Sequence, residues 1–556
     1  MGIVDKQAIY AKAVEKHAHL KKYIEDFVAQ GFPLPEFYVQ LHSDMAKLKE
    51  INFIYPVGDP IFIHVHSLTE KGKLYVTIEP TLTDILKSTF DDISEAMLRE
   101  APTEEPHEGK AEFGKVLEAL LGRVTIFEHE KETLFSRRFP SLYKRKIFIT
   151  RADLETIKYF LRRNIIENGP LEPITRDQYI EDIHSVGTDW LHIVHKIFGM
   201  METNVKFTDD IELDDFLRSM SERIGRPVSD AKPIIDGALP DGSRINIVYS
   251  SDVSRRGASF TIRKFTEKPL TVTQLISFGT FNAQIGAYMW LCLEHGMSCI
   301  VSGETASGKT TTLNAILTFI DHTKKVYSAE DTPEVIAPQP VWQRLVTRDT
   351  GQEAGKVELF DLVRTALRSR PDYIIVGETR GREGAMMFQA MQTGHSVLST
   401  FHAPSTTQMI QRFTGEPINV PIRFIDNLNV AFFQQILYEE GRLIRRVVSV
   451  DEILRYSKEL DGVMVRSVFK WDPYTDTHYF RGMNNSYILE EKIAPQLKFE
   501  DKRMIYTELA IREQILKNMI DHNIFQYEDV NHILDLYYKE GLEALPPEIL
   551  PEGIKH

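Results

Sequence analysis

Cysteine and long apolar segments are both scarce in this chain. Of its 556 residues only Cys292 and Cys299 are cysteines, too few for a disulfide framework or a cysteine-based zinc module, which favours a reducing compartment. The longest apolar stretch, 285–301, is interrupted by Glu294 and His295. Because it falls short of the roughly 20 residues that a membrane-spanning helix needs, we interpret it as a buried helix that leads into a strand.

The chain also lacks an excess of positive charge. Its formal net charge is -14, which argues against broad binding to nucleic acid, since such binding needs many Lys and Arg side chains facing phosphate. The first 23 residues have no apolar core of the kind found in a secretory signal and are typical of an amphipathic helix. We therefore expect a cytoplasmic protein with no nucleic-acid partner.

The length of the chain predicts about three or four domains. An acidic, Pro-bearing linker at 99–108 and a hinge at Lys268-Pro269 mark two of the expected boundaries. The expected parts are an accessory α+β module at 1–110, a small α+β domain with linker helices at 111–268, an α/β domain at 269–456, and an extension at 457–556 that is first strand-like and then helical.

The pattern of apolar residues changes at the expected hinge. An apolar repeat at helical spacing from Leu154 to Ile165 precedes short strand-like segments at 180–187, 244–250 and 259–265, which predicts a small α+β domain. Beyond 269, strand-like and helix-like segments alternate, which is typical of a parallel sheet with crossover helices. The strands predicted there are 298–302, 325–329, 372–377, 396–400 and 429–433.

A phosphate-loop motif, GETASGKT, occupies 303–310 between a strand-like and a helix-like segment. Gly303 and Gly308 let backbone N–H groups approach phosphate oxygens, and the helix that follows presents its positive dipole end. We expect Lys309 to reach the β- and γ-phosphates of ATP and Thr310 to hold Mg²⁺. The predicted nucleotide-binding residues are Gly303, Glu304, Thr305, Ala306, Ser307, Gly308, Lys309, Thr310 and Thr311.

Two acidic segments follow the motif. Glu330, Asp331 and Glu334 lie just after a predicted strand, where carboxylates can orient water or a hydrated metal ion, although most acidic loops are only solvated. Farther along, an apolar strand ends at Gly377-Glu378, and the carboxyl end of a buried strand is where α/β sheets place ligand-binding groups. We predict that Glu330 and Glu378 act in catalysis and that Glu378 also lies near the metal.

Two histidines flank the next predicted strand. His395 and His402 are seven residues apart, which separates them by about 23 Å in an extended chain, so they do not bind one metal ion together. A histidine at the carboxyl end of such a strand can donate to a phosphate or carry a signal across a subunit boundary. Both histidines are therefore candidate site residues of open chemical role.

The order of these four motifs resembles the secretion ATPase superfamily of type II and type IV systems. The resemblance covers about 151–456 and rests on the segments at 169–187, 303–317, 328–334, 370–381 and 393–403. Within that superfamily, the sequences at 386–403 and 414–430 are most similar to the archaeal branch, which drives the archaellum or assembles related pili. Segments at 55–65, 73–82 and 468–480 extend the similarity over most of the chain.

The resemblance implies a RecA-like P-loop NTPase domain preceded by the two α+β parts. It assigns Glu330 to the acidic-box glutamate proposed to polarise the attacking water and Glu378 to the glutamate near the hydrated metal. It places His395 and His402 in the His box. Which glutamate is the catalytic base stays open.

The resemblance also implies a homo-hexamer, in which the N-terminal domain supplies arginines to a nucleotide held by the other domain. Arg244, Arg255 and Arg263 lie in the matching segment, and Arg256 is an alternative to Arg255. A guanidinium group suits a developing phosphoryl charge because it stays protonated and binds two oxygens at once.

These inferences predict a cytoplasmic hexameric ATPase at the inner face of the membrane. We expect it to dock on a polytopic membrane platform protein and on other motor or regulatory proteins of a filament machine, and to power assembly or rotation of an archaellum or a type IV pilus-like filament. One alternative is a secretion or conjugation-type ATPase. Another is a scaffold that binds nucleotide without turnover.

Overall fold

The computed structural model describes residues 6–39, 41, 45, 48, 50–69, 72–101, 110–127, 146–250, 252–265, 268–348, 355–439 and 442–551. The chain forms two compact units, 1–265 and 266–556. The division lies three residues before the expected hinge at Lys268-Pro269.

The first unit is built on a ten-stranded sheet in the order β1-β2-β3-β4-β9-β8-β7-β12-β11-β10. Neighbouring strands are antiparallel except β1 with β2 and β4 with β9. Two further strands, β5 and β6, pair with each other alone. The strands are β1 Glu36–Phe37, β2 Asn52–Gly58, β3 Ile61–Thr69, β4 Gly72–Ile78, β5 Thr125–Phe127, β6 Ile147–Ile149, β7 Ile180–Val186, β8 His192–His195, β9 Gly199–Thr203, β10 Ile234–Ala238, β11 Arg244–Val248 and β12 Ser259–Arg263.

In the described residues of the first unit, seven α-helices accompany this sheet. The Thr150 side chain caps the predicted helix by accepting a hydrogen bond from the Asp153 amide at 3.1 Å, which satisfies one N–H group of the first turn. The predicted repeat is buried as far as Leu161, and a π-helical turn follows at Arg162–Ile166. The helices are α1 Lys6–Lys16, α2 Ala18–Ala29, α3 Asp84–Glu100, α4 Lys110–Val124, α5 Arg151–Leu161, α6 Glu172–Arg176 and α7 Asp210–Arg223.

The sheet of the first unit continues across the expected boundary at residue 110. β4 pairs with β9 in parallel, with Tyr75 opposite Thr203. A buried carboxylate joins the same two parts, because Asp177 Oδ2 accepts hydrogen bonds from Tyr55 at 2.6 Å and from Tyr75 at 2.9 Å. Strands β2, β3 and β4 thus share one sheet and one apolar cluster with strands beyond residue 110.

The second unit is built on a nine-stranded sheet in the order β15-β14-β16-β17-β13-β18-β19-β20-β21. In this spatial order, the neighbouring pairs from β15 through β13 to β18 are parallel, and the pairs from β18 to β21 are antiparallel. All five predicted strands are confirmed, whereas the half-exposed edge strand β15 and the long strand β19 were not predicted. The strands are β13 Cys299–Gly303, β14 Val326–Glu330, β15 Trp342–Val346, β16 Tyr373–Thr379, β17 Ser396–Phe401, β18 Val430–Glu439, β19 Arg442–Ser457, β20 Gly462–Asp472 and β21 Thr477–Phe480.

Helices cover both faces of this sheet, which is why its central strands are buried throughout. Ten of the twelve residues of the helix predicted within 285–301 are buried, as expected of a helix that is apolar on all sides. The helices are α8 Val272–Ser277, α9 Ala283–Glu294, α10 Lys309–Ile316, α11 Leu359–Ser369, α12 Glu383–Gln392, α13 Thr406–Thr414, α14 Ile505–Asp521 and α15 Tyr527–Glu540.

The expected extension at 457–556 is part of the second unit. The expected boundary falls at the end of β19. Strands β20 and β21 then extend the same sheet. Helices α14 and α15 share one apolar cluster with α9. Arg512 of α14 is 2% exposed and donates to Glu294 of α9 at 2.8 Å, which ties the extension to the α/β domain. Among the described residues, every helix is too short or too polar to cross a membrane.

Candidate nucleotide-binding site

The phosphate loop joins the carboxyl end of β13 to the amino end of α10, as its motif predicts. A Cβ atom on Gly303 would lie 2.1 Å from the backbone oxygen of Gln434 on β18, so the strand accepts no side chain at this position. Gly308 precedes the helix at φ 90°, a left-handed conformation that favours glycine. The loop therefore keeps its backbone close to the sheet and directs the amino end of α10 at any anion bound there.

Lys309 begins α10, and its ammonium group points back along the loop. The side chain is 8% exposed, Nζ donates to the Glu304 backbone oxygen at 2.9 Å, and it lies 3.5 Å from His402 Nδ1. Ser307 closes the same turn, because its hydroxyl donates to that oxygen at 2.8 Å. This nearly buried positive charge at a helix amino terminus fits the phosphate chain of a nucleotide.

The remaining predicted loop residues differ in exposure. Glu304, Thr305 and Ala306 are exposed, whereas Thr310 and Thr311 are half-buried in the first turn of α10. In the described part of the chain, no three His, Cys, Asp or Glu residues are arranged to hold a metal ion. The donors present, a threonine hydroxyl beside the loop and the carboxylate of Glu378, fit Mg²⁺, which commonly takes one or two protein ligands and completes its shell with phosphate and water.

Glu378 lies at the end of β16 and forms the centre of a charged group. Arg380 binds its carboxylate through two hydrogen bonds of 2.7 and 2.6 Å, and His402 Nε2 lies 2.9 Å from Oε1. Burial raises the pKa of this carboxyl, but Arg380, His402 and Lys309 together outweigh burial and hold the pKa below its ordinary value. Glu378 is therefore ionised at neutral pH, as a metal ligand must be.

His402 links Lys309 to Glu378. Burial, and then the charge of Lys309, lowers the pKa of its imidazole, so the ring is neutral at pH 7. In the neutral ring one nitrogen donates and the other accepts. The geometry fits the tautomer in which Nε2 donates to Glu378 and Nδ1 faces the Lys309 ammonium.

Glu330 ends β14 and is buried beside Gly377 of β16. Its side chain is 1% exposed, and Oε1 accepts hydrogen bonds from the amides of Glu334 and Val335 at 2.7 and 2.6 Å. Arg344 of β15 lies 3.5 Å from Oε2. Burial raises the pKa of Glu330 to about 7, although the two amides and Arg344 oppose that rise. This carboxyl can therefore exchange a proton near neutral pH.

The parallel register gathers these groups at one edge of the sheet. Ser302, just before the loop, pairs with Phe401, just before His402, and Glu378 pairs with Thr400. His395 does not join them. It precedes β17 at the opposite end of the strand, where its Nδ1 lies 3.1 Å from the Thr393 hydroxyl.

The three predicted arginines lie in the first unit, on β11, β12 and the loop between them. Arg244 and Arg263 are directly opposite each other across the antiparallel pair, an arrangement of like charges that destabilises a sheet. Arg244 binds Asp236 with an Nε–Oδ1 distance of 3.1 Å, and Arg263 pairs in register with Asp182. Arg255 is exposed. Arg256, the alternative, forms an ion pair with Asp189.

Sequence reasoning missed four residues around the site. Arg380 lies within the segment 370–381, one residue past the end of β16, and its spacing of two residues from Glu378 was the available clue. Arg344, Gln434 and Arg445 are on strands that reach the site only through the sheet order, which no local pattern reveals. Gln434 is 1% exposed and accepts a hydrogen bond from the Thr312 hydroxyl of α10 at 3.0 Å.

Known proteins share this arrangement of motifs. The family model for type II/IV secretion system proteins matches residues 165–434. An uncharacterised protein of Methanocaldococcus jannaschii is 54% identical over 548 residues, which cover 98% of this chain and 100% of that protein. The chain belongs to the type II/IV secretion system protein family. As in this family, the second unit has the RecA-like P-loop NTPase fold.

Two other proteins are similar to this chain at lower identity. A putative conjugal transfer protein of Mycobacterium tuberculosis is 28% identical over 244 residues, which cover 42% of this chain and 68% of that protein. The crystal structure of the pilus retraction motor PilT with bound ADP is 18% identical, covers 67% of this chain and 95% of that chain, and has a TM-score of 0.37.

Proposed function

We propose that this chain is an ATPase that hydrolyses ATP to ADP and phosphate and couples the reaction to mechanical work. The observation that carries the proposal is the contiguous group formed by Lys309, His402 and Glu378 beside the phosphate loop, with distances of 3.5 and 2.9 Å between successive members. Glu330 lies on the neighbouring strand β14. A site that only binds nucleotide needs the loop and Lys309. It does not need the carboxylate of Glu378 at the metal position or the buried carboxyl of Glu330, whose pKa is raised.

Each residue has a distinct task in this proposal. Lys309 and the loop amides bind the phosphates, and Thr310 and Glu378 hold Mg²⁺, which neutralises charge on the transferred phosphoryl group. Glu330 orients the attacking water and accepts its proton. His402 keeps Glu378 and Lys309 in register by contacting both. His395 stays a proposed site residue of the His box whose role lies outside this group.

We further propose that the protein works as a homo-hexamer. Arg244, Arg255 and Arg263 would act on a nucleotide held by a neighbouring subunit. The exposure of Arg255 supports this proposal, because an exposed guanidinium group can reach a nucleotide on another subunit. Nucleotide binding and release after hydrolysis would switch each subunit between two conformations.

The proposed output is assembly or rotation of an archaellum or a related pilus-like filament, driven through a polytopic membrane platform protein at the inner face of the membrane. The similarity of segments at 55–65, 73–82 and 468–480 to the archaeal motor ATPases supports this output, since they lie outside the residues that the family model matches.

A conjugation-type ATPase is the second candidate. The similarity to a putative conjugal transfer protein favours it, whereas the net charge of -14 argues against a DNA-binding channel. Stimulation of ATP turnover by single- or double-stranded DNA separates the two. We expect none for a filament motor, and a clear stimulation would favour DNA transfer.

The proposed chemistry is tested by phosphate release and by equilibrium binding of a fluorescent ATP analogue. We expect Lys309→Ala to abolish turnover and Glu378→Gln to bind ATP while turning it over at least a hundredfold more slowly. Lys517→Ala, on the exposed face of α14, removes the same charge far from the loop and serves as the control. Undiminished turnover in both site variants would overturn the proposal.

The proposed ring is tested by mixing inactive subunits. Arg263→Ala and Lys309→Ala proteins should each be inactive, and their mixture should recover part of the wild-type turnover if the arginine acts across a subunit boundary. Light scattering in the presence of a nonhydrolysable analogue gives the mass of the particle. A chain that stays monomeric under those conditions would contradict the hexamer, without bearing on the chemistry.

The proposed output is tested in the cell. Replacing the chromosomal gene by its Lys309→Ala version should abolish filaments seen by electron microscopy, or leave filaments that no longer rotate. Wild-type filaments and wild-type swimming in that strain would rule out this output while leaving the ATPase assignment intact.

A further inference from the structure

Arg445 contacts the phosphate loop from a strand that carries none of the sequence motifs. It lies on β19, eleven residues beyond the end of the family model match at 434. Its Nε donates to the backbone oxygen of Ala306 at 2.9 Å, the one hydrogen bond of this side chain in the described part of the chain. A Cβ atom on Gly308 would lie 3.1 Å from Arg445 Cδ, so the side chain lies along the loop as well as bonding to it.

The neighbouring residue fixes the direction of Arg445. Successive side chains of a strand point to opposite faces, and Arg446 is 7% exposed on the other face of β19, where Asp476 binds it through two hydrogen bonds of 2.7 Å. Arg446 also donates to the backbone oxygens of Phe278 and Arg445 at 3.1 and 3.0 Å. The contacts of Arg446 therefore fix the β19 backbone, so that the Arg445 side chain stays on the face of the strand that carries the loop.

The bonded residue, Ala306, has an unfavourable backbone conformation. Its φ is 62°, a left-handed value that only glycine adopts without cost, because Cβ approaches the following carbonyl oxygen. Ala306 is also exposed, so side-chain packing does not hold it there. The hydrogen bond from Arg445 acts on the carbonyl of this same residue and stabilises the conformation from outside the loop.

We propose that Arg445 is a positioning residue that holds the phosphate loop in its nucleotide-binding conformation through the Ala306 carbonyl. This inference rests on the proposed function, since it concerns the same loop. The β18–β19 hairpin then forms the outer wall of the site, with Gln434 against Gly303 and Arg445 against Ala306. Without that wall, Ala306 relaxes to negative φ and the loop amides no longer converge on one anion.

The test measures binding of a fluorescent ADP analogue without metal, alongside steady-state turnover, in the full chain. We expect Arg445→Ala to weaken binding about tenfold, the order expected when one hydrogen bond from a charged donor is lost. The KM for ATP should rise by a similar factor while kcat changes about twofold or less. Arg445→Lys should recover part of the affinity, and Arg455→Ala, on the exposed far end of β19, should bind as the wild type does.

A second background separates positioning from direct contact with phosphate. Glycine tolerates φ 62°, so the Ala306→Gly protein keeps the loop conformation accessible when Arg445 is absent. We expect Arg445→Ala to cost about tenfold in affinity beside Ala306 but only about threefold in the Ala306→Gly background. An equal loss in both backgrounds would overturn the positioning role and make Arg445 a direct phosphate ligand.

The outcomes distinguish this inference from the proposed function. Wild-type affinity and KM in Arg445→Ala would overturn the inference, while loss of binding in Lys309→Ala and turnover by the wild type would still support the ATPase. Equal thermal unfolding midpoints of Arg445→Ala and wild type show that the loss is not one of folding. A lower midpoint with unchanged affinity would also overturn it.

Discussion

Glu330 makes the stability of the second unit depend on pH in a way that one substitution should remove. Burial raises the pKa of this carboxyl from 4.5 to about 7, a shift of about 2.5 units. The ionised form therefore costs the folded state about 3 kcal/mol at high pH, at about 1.4 kcal/mol per unit. The cost is absent below pH 4.5, grows as the pH rises, and is complete above pH 7.

The expected change between pH 5 and pH 8 is most of that total. With these two pKa values, the wild type loses about 2.5 kcal/mol of unfolding free energy from Glu330 alone over this interval. Glu330→Gln removes the ionisation and keeps the shape of the side chain. Its stability relative to the wild type should therefore rise by about 2.5 kcal/mol from pH 5 to pH 8, because the other titrating groups are common to both proteins.

Urea unfolding of both proteins at pH 5, 6, 7 and 8 measures this difference. Glu459→Gln removes an exposed carboxylate elsewhere in the second unit and serves as the control for the loss of one charge. If the difference in unfolding free energy between Glu330→Gln and the wild type stays constant with pH, the argument that burial raises the pKa of Glu330 is refuted. ATP turnover by the wild type should also increase as the pH rises through about 7, because the proposed base Glu330 must be ionised to accept a proton.

Three further substitutions have expected outcomes. Gly308→Ala places a Cβ at φ 90° and 3.1 Å from neighbouring side-chain atoms, so nucleotide affinity in a binding titration should fall at least tenfold. Tyr75→Phe removes a 2.9 Å hydrogen bond from the buried carboxylate of Asp177 and should lower the unfolding free energy of the first unit by about 1–3 kcal/mol. Tyr288→Phe removes the 2.8 Å hydrogen bond that the Tyr288 hydroxyl donates to Glu452, a residue that is 0% exposed. It should lower the unfolding free energy of the second unit in urea by a similar amount. Unchanged unfolding midpoints would contradict the predictions for the two tyrosines.

Five strands of the second unit were predictable because the predicted part of each is buried and so consists of a short apolar run between turns. Strand β15 was missed because it is the edge strand, where exposed and half-buried residues break that pattern. The expected parts at 1–110 and 457–556 are not separate in the structure for a related reason. Pairing of β4 with β9, and of β19 with β20, depends on which edges meet in space.

The phosphate loop was predictable from the sequence alone, because its glycines, lysine and threonine lie within the eight consecutive residues 303–310. The sequence also indicated which strands carry Glu330, Glu378 and His402. The contacts of His402 with Lys309 and Glu378 could not be predicted from the sequence. They depend on the direction of β17 in the sheet, which places His402 beside the phosphate loop and His395 at the opposite end of the strand. The tertiary structure likewise decided the contact of Arg445 with Ala306, because a hydrogen bond between residues 139 positions apart depends on the order of strands in the sheet.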